Sequence, residues 1–280
     1  MSQQREPGDG TAASALRTAG VAALVGLGTL FLGLPVVVLV TRAAFGGSLA
    51  AALGSHAVLV ALWLSLSTTA VSLALTVMFG LPLAWVLARR SFRGAPLVEA
   101  IVDLPIVLPP SVAGLALLLA LGRSGLLGPL LDRAGVVVPF TTAAVVLAQS
   151  FVSAPFFIRS ARTGLAGVDR DVEDAARADG ADEFRVFRHV TLPLAGPALA
   201  AGLAMSWARA LGEFGATILF AGNFAGRTQT LPLLVYAEFE GGGLDSSIAA
   251  AAILVLAAFA VLVAVRVLHW GRAIERQLGS

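Results

Sequence analysis

Six stretches of this chain run for twenty residues or more with few or no charges, and that pattern leaves few folds open. They are residues 19–40, 57–88, 97–122, 139–158, 194–220 and 246–268. Each is long enough for a hydrocarbon core about 30 Å thick. No water is present there to satisfy backbone N–H and C=O groups, so each stretch has to be helical. The fold class expected is all-α, a polytopic membrane protein with about six transmembrane helices. Composition agrees, because 58% hydrophobic against 13% charged residues exceeds what a water-soluble domain carries. A signal peptide is the other reading of residues 19–40, but the run is too long for one and lacks a small-residue cleavage site.

The pattern divides the chain into a disordered N-terminal tail (1–15), a first transmembrane helix with an external loop (16–56), a membrane core (57–268) and a short cytoplasmic tail (269–280). The core includes a polar cytoplasmic loop, 159–193. Residues 57–88 would reach about 48 Å as helix, so part of that span tilts or emerges. Ser65, Thr68, Thr69, Ser72 and Thr76 fall on one of its faces. Small polar residues so placed let membrane helices pack closely, and a polar substrate lining is the other reading. In the third span Pro105, Pro109 and Pro110 have to lie at membrane depth, with Ser111 opening the segment beyond them. Proline removes amide donors and clashes with earlier carbonyls, so the span is kinked or broken there. Irregular backbone at that depth is tolerated where protein or a watery cavity surrounds it, which suits a kink or a pathway lining alike.

Every one of the 19 basic residues is arginine. Without lysine the chain has no P-loop lysine, so any ATP that drives it is hydrolysed by another protein. A net charge of +2 with arginines scattered through loops gives no support for nucleic-acid binding. There is no cysteine, and His56, His189 and His269 fall in three separate loop or terminal regions, so neither a metal centre nor a cofactor is expected. Placing both termini in the cytoplasm leaves Arg42, Arg123, Arg133 and Arg227 outside and Arg209 in a span, so 14 of the 19 arginines lie inside. The positive-inside rule selects that orientation. Arg209 and Glu213 are the most deeply placed charges, on one helix face at i, i+4, where they would neutralise each other or border the route of an anion. Glu99 and Asp103 read as wet interfacial charges.

Residues 168–193, VDRDVEDAARADGADEFRVFRHVTLP, are the one long polar island. Asp169 suits a helix N-cap, Asp171, Glu173 and Asp174 place acid in the first turns, and Arg177 follows near the end, all in the sense the helix dipole favours. Gly180 suits the left-handed residue that closes a helix. Val172, Ala175, Ala176 and Asp179 make one small, flat face that allows close approach of a partner. Asp182 can cap a second helix with an apolar stripe of Phe184, Phe187 and Val190, ended by Leu192 and Pro193.

The spacing Asp174-Ala175-Ala176, three residues, Gly180, nine residues, Val190-Thr191-Leu192-Pro193 resembles the EAA motif of ATP-binding-cassette (ABC) importer permeases, E-A-A-x3-G-x9-I-x-L-P. Asp stands for Glu and Val for Ile. The resemblance implies a type I ABC importer permease fold in which this loop docks on a separate ATPase. Asp171, Asp174, Ala175, Ala176, Gly180, Leu192 and Pro193 would be the coupling residues. Residues 104–128 and 206–236, the latter with GEFGA at 212–216 and Thr228-x-Thr230-Leu231-Pro232-Leu233, are similar to the permeases of molybdate and tungstate importers and, more loosely, of sulfate and thiosulfate importers. The likeness covers most of residues 57–268. It implies a multi-pass protein of a prokaryotic inner membrane, working as a homodimer with two cytoplasmic ATPases and an external oxyanion-binding protein. Pro109, Pro110, Ser111, Arg209, Glu213 and Phe214 would border the pathway or its gate, and residues 169–220 would move as one rigid unit. An ion-coupled secondary transporter would call for inverted repeats and paired broken helices, whereas one span is clearly broken. An intramembrane hydrolase would need a Ser/His or paired-Asp cluster at depth, where no histidine lies.

Overall fold

The computed structural model describes residues 9–278, with side-chain surroundings given for 17–263. Every regular element among the described residues is helical, and none is a strand. In order they form α1 (Asp9–Phe45), α2 (Ser48–Leu53), α3 (His56–Arg89), α4 (Ala95–Val107), α5 (Pro110–Leu121), α6 (Gly128–Arg133) and α7 (Thr142–Ala166). There follow α8 (Arg170–Ala178), α9 (Glu183–Val186), a π-turn (Phe187–Thr191), α10 (Leu192–Leu211), α11 (Gly215–Phe220), α12 (Leu231–Glu240) and α13 (Leu244–Leu278).

Five helical segments are long and apolar enough to cross a membrane, and α4 with α5 makes a sixth, bent by 119° at the Leu108–Pro109 break. The ends of α3 and α7 show that this pair makes one net crossing. Arg89, the last residue of α3, donates to the Val168 carbonyl just beyond α7, so both helices finish on the same side. α4 to α6 therefore carry the chain back across. Its first half lies along the island end of α7, where Glu99 meets Arg162 at 2.8 Å and Asp103 meets Arg159 at 3.6 Å.

α3, α7 and α10 form the centre. The Ser/Thr face of α3 is buried, with Gln149 Nε2 donating to Thr69 Oγ1 at 3.3 Å and Ser150 Oγ to Ser72 Oγ at 3.0 Å. It is a packing seam between helices. α7 meets α10 across small residues. A Cβ at Gly164 would overlap that of Ala198, and one at Gly202 would lie 2.8 Å from Ser160 Cβ. Ser160 Oγ and Ser206 Oγ donate across the same contact to the carbonyls of Ala198 and Ser153 at 2.7 and 3.0 Å. In lipid, where apolar surface gains nothing by leaving its solvent, such close approach and interhelical hydrogen bonding supply the association.

Ser65 has a separate task, accepting from the Leu231 amide at 2.7 Å and so tying the start of α12 to α3. Ser65→Ala would leave that buried N–H without an acceptor. The expected cost is about 1–3 kcal/mol, read as a lower thermal midpoint of the purified protein in detergent.

Several expectations are corrected. Residues 9–15 of the expected tail are helical, since Ala-rich sequence extends α1 into them, and residues 1–8 lie outside the described residues. α13 continues through residues 269–278, which were expected as a tail. Leu192 and Pro193 end nothing. The chain passes from α9 into α10 through the π-turn, in which the Leu192 amide reaches back to the Phe187 carbonyl. A widened turn accommodates Pro193, which has no N–H to give and sits in the first turn of α10. The span expected over 194–220 stops at Leu211, breaks at residues 212–214 and resumes as the separate α11. The unit over 169–220 therefore contains a break between α10 and α11 and is not one continuous helix beyond the corner. The expected loop 221–245 contains α12.

Candidate functional site

The island folds as a capped knuckle. Asp169 Oδ1 accepts from the Asp171 amide at 3.0 Å, and Asp182 Oδ1 from the Arg185 amide at 2.8 Å, which caps α8 and α9 as their sequence indicates. Gly180, at φ 88°, closes α8 in the left-handed region. The Ala181 amide bonds to the Ala176 carbonyl and the Gly180 amide to that of Arg177, each at 3.0 Å, so the closure is a Schellman motif. Arg177 then bridges the corner, 2.6 Å from Asp174 and 2.8 Å from Glu183. Hydrogen bonding to Glu183, with that to Asp174 adding to it, raises the already high pKa of its guanidinium.

Asp171, Val172, Asp174, Ala175 and Gly180 are exposed on the knuckle, Ala176 is half-buried, and Phe184 projects beside them with 68% of its surface free. Leu192 and Pro193 belong to the base, in the first turn of α10. Of the stripe expected on the second helix, Phe187 and Val190 are half-buried, and the residue buried there is Val186.

A feature that sequence reasoning missed lies on the other side of α8. Glu173 is the one buried residue of that helix. Its Oε1 accepts from Arg89 Nη2 and from Thr191 Oγ1, each at 2.6 Å, with side-chain exposures of 11% for Arg89 and 7% for Glu173. At about 100° per residue it falls well off the small face that includes Val172, and no local pattern names partners 84 residues before it and 18 after it. This cluster lines one side of a cavity of about 840 Å³ that opens between the end of α3 and the knuckle, walled also by Leu81, Trp85, Arg90 and Phe187.

The second assembly is at membrane depth, where two broken helices cross. A Cβ at Gly215 would lie 2.7 Å from Pro110 Cβ and 3.3 Å from Ser111 N, and one at Gly114 would lie 2.6 Å from the Ala216 carbonyl. Only glycine permits backbones to meet so closely. The Pro109–Ser111 break and the break at residues 212–214 therefore face each other. Glu213, 1% exposed, fixes the second one. Its Oε1 accepts from the Ala216 amide at 2.7 Å, capping α11, and its Oε2 lies 2.5 Å from Arg209 Nη1. The charges neutralise each other as their spacing indicates, with Arg209 28% exposed at the margin. The ring of Phe214 packs 5.0 Å from that of Tyr236, whose hydroxyl donates to Glu240 at 2.5 Å. Among the described residues no three His, Asp or Glu side chains converge as metal ligands would.

What these parts can do together is mechanical. A stiff, exposed corner at one end connects through a continuous helix, α9 to α10, to a glycine-lubricated crossing in the membrane.

Comparison with known proteins agrees. The profile for "Binding-protein-dependent transport system inner membrane component" matches residues 80–274. The chain is 44% identical over 205 residues to the molybdenum transport system permease protein ModB of Mycobacterium tuberculosis, covering 73% of this chain and 77% of that one. It is 38% identical over 218 residues to the ModB of Escherichia coli K12, covering 78% and 94%. The permease fold in the crystal structure of a bacterial alginate ABC transporter in complex with its alginate pentasaccharide-bound periplasmic protein superimposes with a TM-score of 0.72 at 18% identity, covering 94% of this chain and 96% of that one. The architecture is that of the type I ABC importer permeases. With the family profile spanning most of the chain and relatives this similar over most of their length, the chain belongs to the inner-membrane permease components of binding-protein-dependent transport systems.

Proposed function

We propose that this chain is the transmembrane permease subunit of an ATP-driven importer of molybdate or tungstate. It works as a homodimer in a prokaryotic inner membrane, with two cytoplasmic ATPase subunits and an external oxyanion-binding protein. The observation that carries the reading is the knuckle, a rigid corner whose small-residue face is exposed and whose base runs straight into α10. The substrate class rests on similarity to permeases named for molybdenum transport. The arginine distribution supports a cytoplasmic knuckle and cytoplasmic termini, and the absence of lysine supports hydrolysis, and the binding of ATP, by the partner.

In the mechanism, closure of the ATPase pair on ATP draws the two knuckles together. The π-turn passes the displacement into α10, which carries it to the Glu213 break and, through the Gly215–Pro110 and Gly114–Ala216 contacts, to α5. A two-state element of this kind is what coupling requires. Arg209, Glu213, Phe214, Pro109, Pro110 and Ser111 border the moving junction, and the external binding protein makes the choice among oxyanions.

Gly180→Val tests the coupling. A β-branched residue at φ 88° costs about 1–3 kcal/mol of local strain and unwinds the corner. Asp174→Arg sets a second cation beside Arg177. Both variants are expected to lose co-purification of the ATPase, or to hydrolyse ATP without transport. Normal assembly and normal uptake in both would sink the coupling role. Uptake of labelled molybdate, tungstate and sulfate by vesicles containing the complete complex tests the substrate, and preference for sulfate would overturn that part.

A further inference from the structure

We propose that Glu173 is the pin through which the knuckle moves the membrane helices, a positioning residue that ties α8 to α3 and α10 at one carboxylate oxygen. The inference rests on the coupling function above and adds to it a specific load path. The rest of α8 is exposed apart from the half-buried Ala176 and Arg177, and Glu173 is the one side chain it buries. Displacement of α8 can reach the spans through the chain itself, at Val168 and Ala181, or through Glu173. At one end the chain route is the exposed turn 179–182, held by its own local hydrogen bonds and the Arg177 bridge, and it reaches α10 only by way of α9 and the π-turn. The Glu173 route is short and stiff, with Arg89 Nη2 on the end of α3 and Thr191 Oγ1 in the π-turn both 2.6 Å from Oε1. Arg89 also reaches the Val168 carbonyl at 3.5 Å, which brings the end of α7 into the same cluster.

The chemistry suits a transmission better than a staple. A buried ion pair adds little net stability over apolar residues of the same volume, because desolvation offsets the attraction. It does define one geometry sharply, since a single carboxylate oxygen meets a charged donor and a hydroxyl at once, each at 2.6 Å. The π-turn sharpens the argument. Thr191, the last residue of the widened turn, donates its hydroxyl to Glu173, so α10 cannot rotate independently of α8 while that bond is intact. Three helices that meet the membrane on one side are thereby made to move with one exposed helix.

The test uses the complete complex, with ATPases and binding protein, in proteoliposomes, and reads molybdate imported per ATP hydrolysed. Glu173→Ala is expected to lower that ratio about tenfold while ATP is still hydrolysed. Thr191→Val, which removes one hydrogen bond and no charge, should lower it about threefold. Glu173→Gln, whose amide oxygen can still accept from both donors, should lie closer to wild type than the alanine variant. A pin that merely holds the fold would lower the thermal midpoint and the yield of complex but leave the ratio of the assembled fraction unchanged. A ratio within twofold of wild type for Glu173→Ala overturns the proposal, and if that variant does not assemble, the same result for Thr191→Val does so. Failure of the wild-type complex to couple hydrolysis to molybdate uptake would instead strike the functional reading, independently of any variant.

Discussion

Glu213→Ala is expected to cost about 3–5 kcal/mol of stability, the range for removing one member of a buried ion pair. The carboxylate has two tasks, pairing with Arg209 at 2.5 Å and accepting the Ala216 amide at 2.7 Å where α11 begins. Alanine abandons both at a position 1% exposed. Glu213→Gln should cost less, since its oxygen still caps α11 and Arg209, 28% exposed, can turn toward water. Arg209→Met combined with Glu213→Gln should recover part of the loss of the alanine variant, because the amide oxygen still accepts from the Ala216 amide. The thermal midpoint of detergent-purified protein gives the order. If Glu213→Ala melts like wild type, the pair does not hold the break between α10 and α11 together.

The second large effect is expected at Gly114. A Cβ there would lie 2.6 Å from the Ala216 carbonyl oxygen and 2.8 Å from its Cα, both backbone atoms that have no rotamer through which to retreat. Gly114→Val should therefore force α5 away from α11 at a cost of roughly 3 kcal/mol, the upper part of the usual overpacking range. Transport should fail even where protein survives, because the crossing of the two broken helices is the step that passes motion from α10 to α5. Gly196 in α10 is the matched control, with nothing within 4 Å of its would-be Cβ. Gly196→Ala should be neutral or stabilising by about 0.5–1 kcal/mol, the ordinary gain of alanine over glycine in a helix. Melting curves and uptake for both variants check the contrast. Equal behaviour of the two would mean that the crossing tolerates separation.

What could be read in advance and what could not divides along a physical line. The spans, the break at Pro109–Pro110, the caps Asp169 and Asp182, the closing Gly180 and the i, i+4 pairing of Arg209 with Glu213 all depend on interactions within a few residues or on transfer of apolar side chains out of water. Such terms are carried by adjacent residues, so they show in a one-dimensional pattern. The errors arose where a tertiary contact outweighed a local signal. Leu192-Pro193 reads as a stop, yet the π-turn absorbs the proline because α10 is held against α7 by Gly164, Gly202 and their serine neighbours. Residues 194–220 read as one span, yet the Glu213 cap and the glycine contacts with Pro110 and α5 favour a break.

By itself, the sequence determined that this chain crosses a membrane as helices and that it presents a capped polar corner with the motif of its family, because hydrophobic length, capping chemistry and turn stereochemistry are local quantities. Only the tertiary structure decided that Glu173 lies against Arg89 and Thr191, that the two helix breaks face each other, and that the Ser/Thr face of α3 is a seam. Those contacts join residues far apart in the chain, and a buried charge, an approaching backbone or a shared hydroxyl acquires its partner only when the helices are packed.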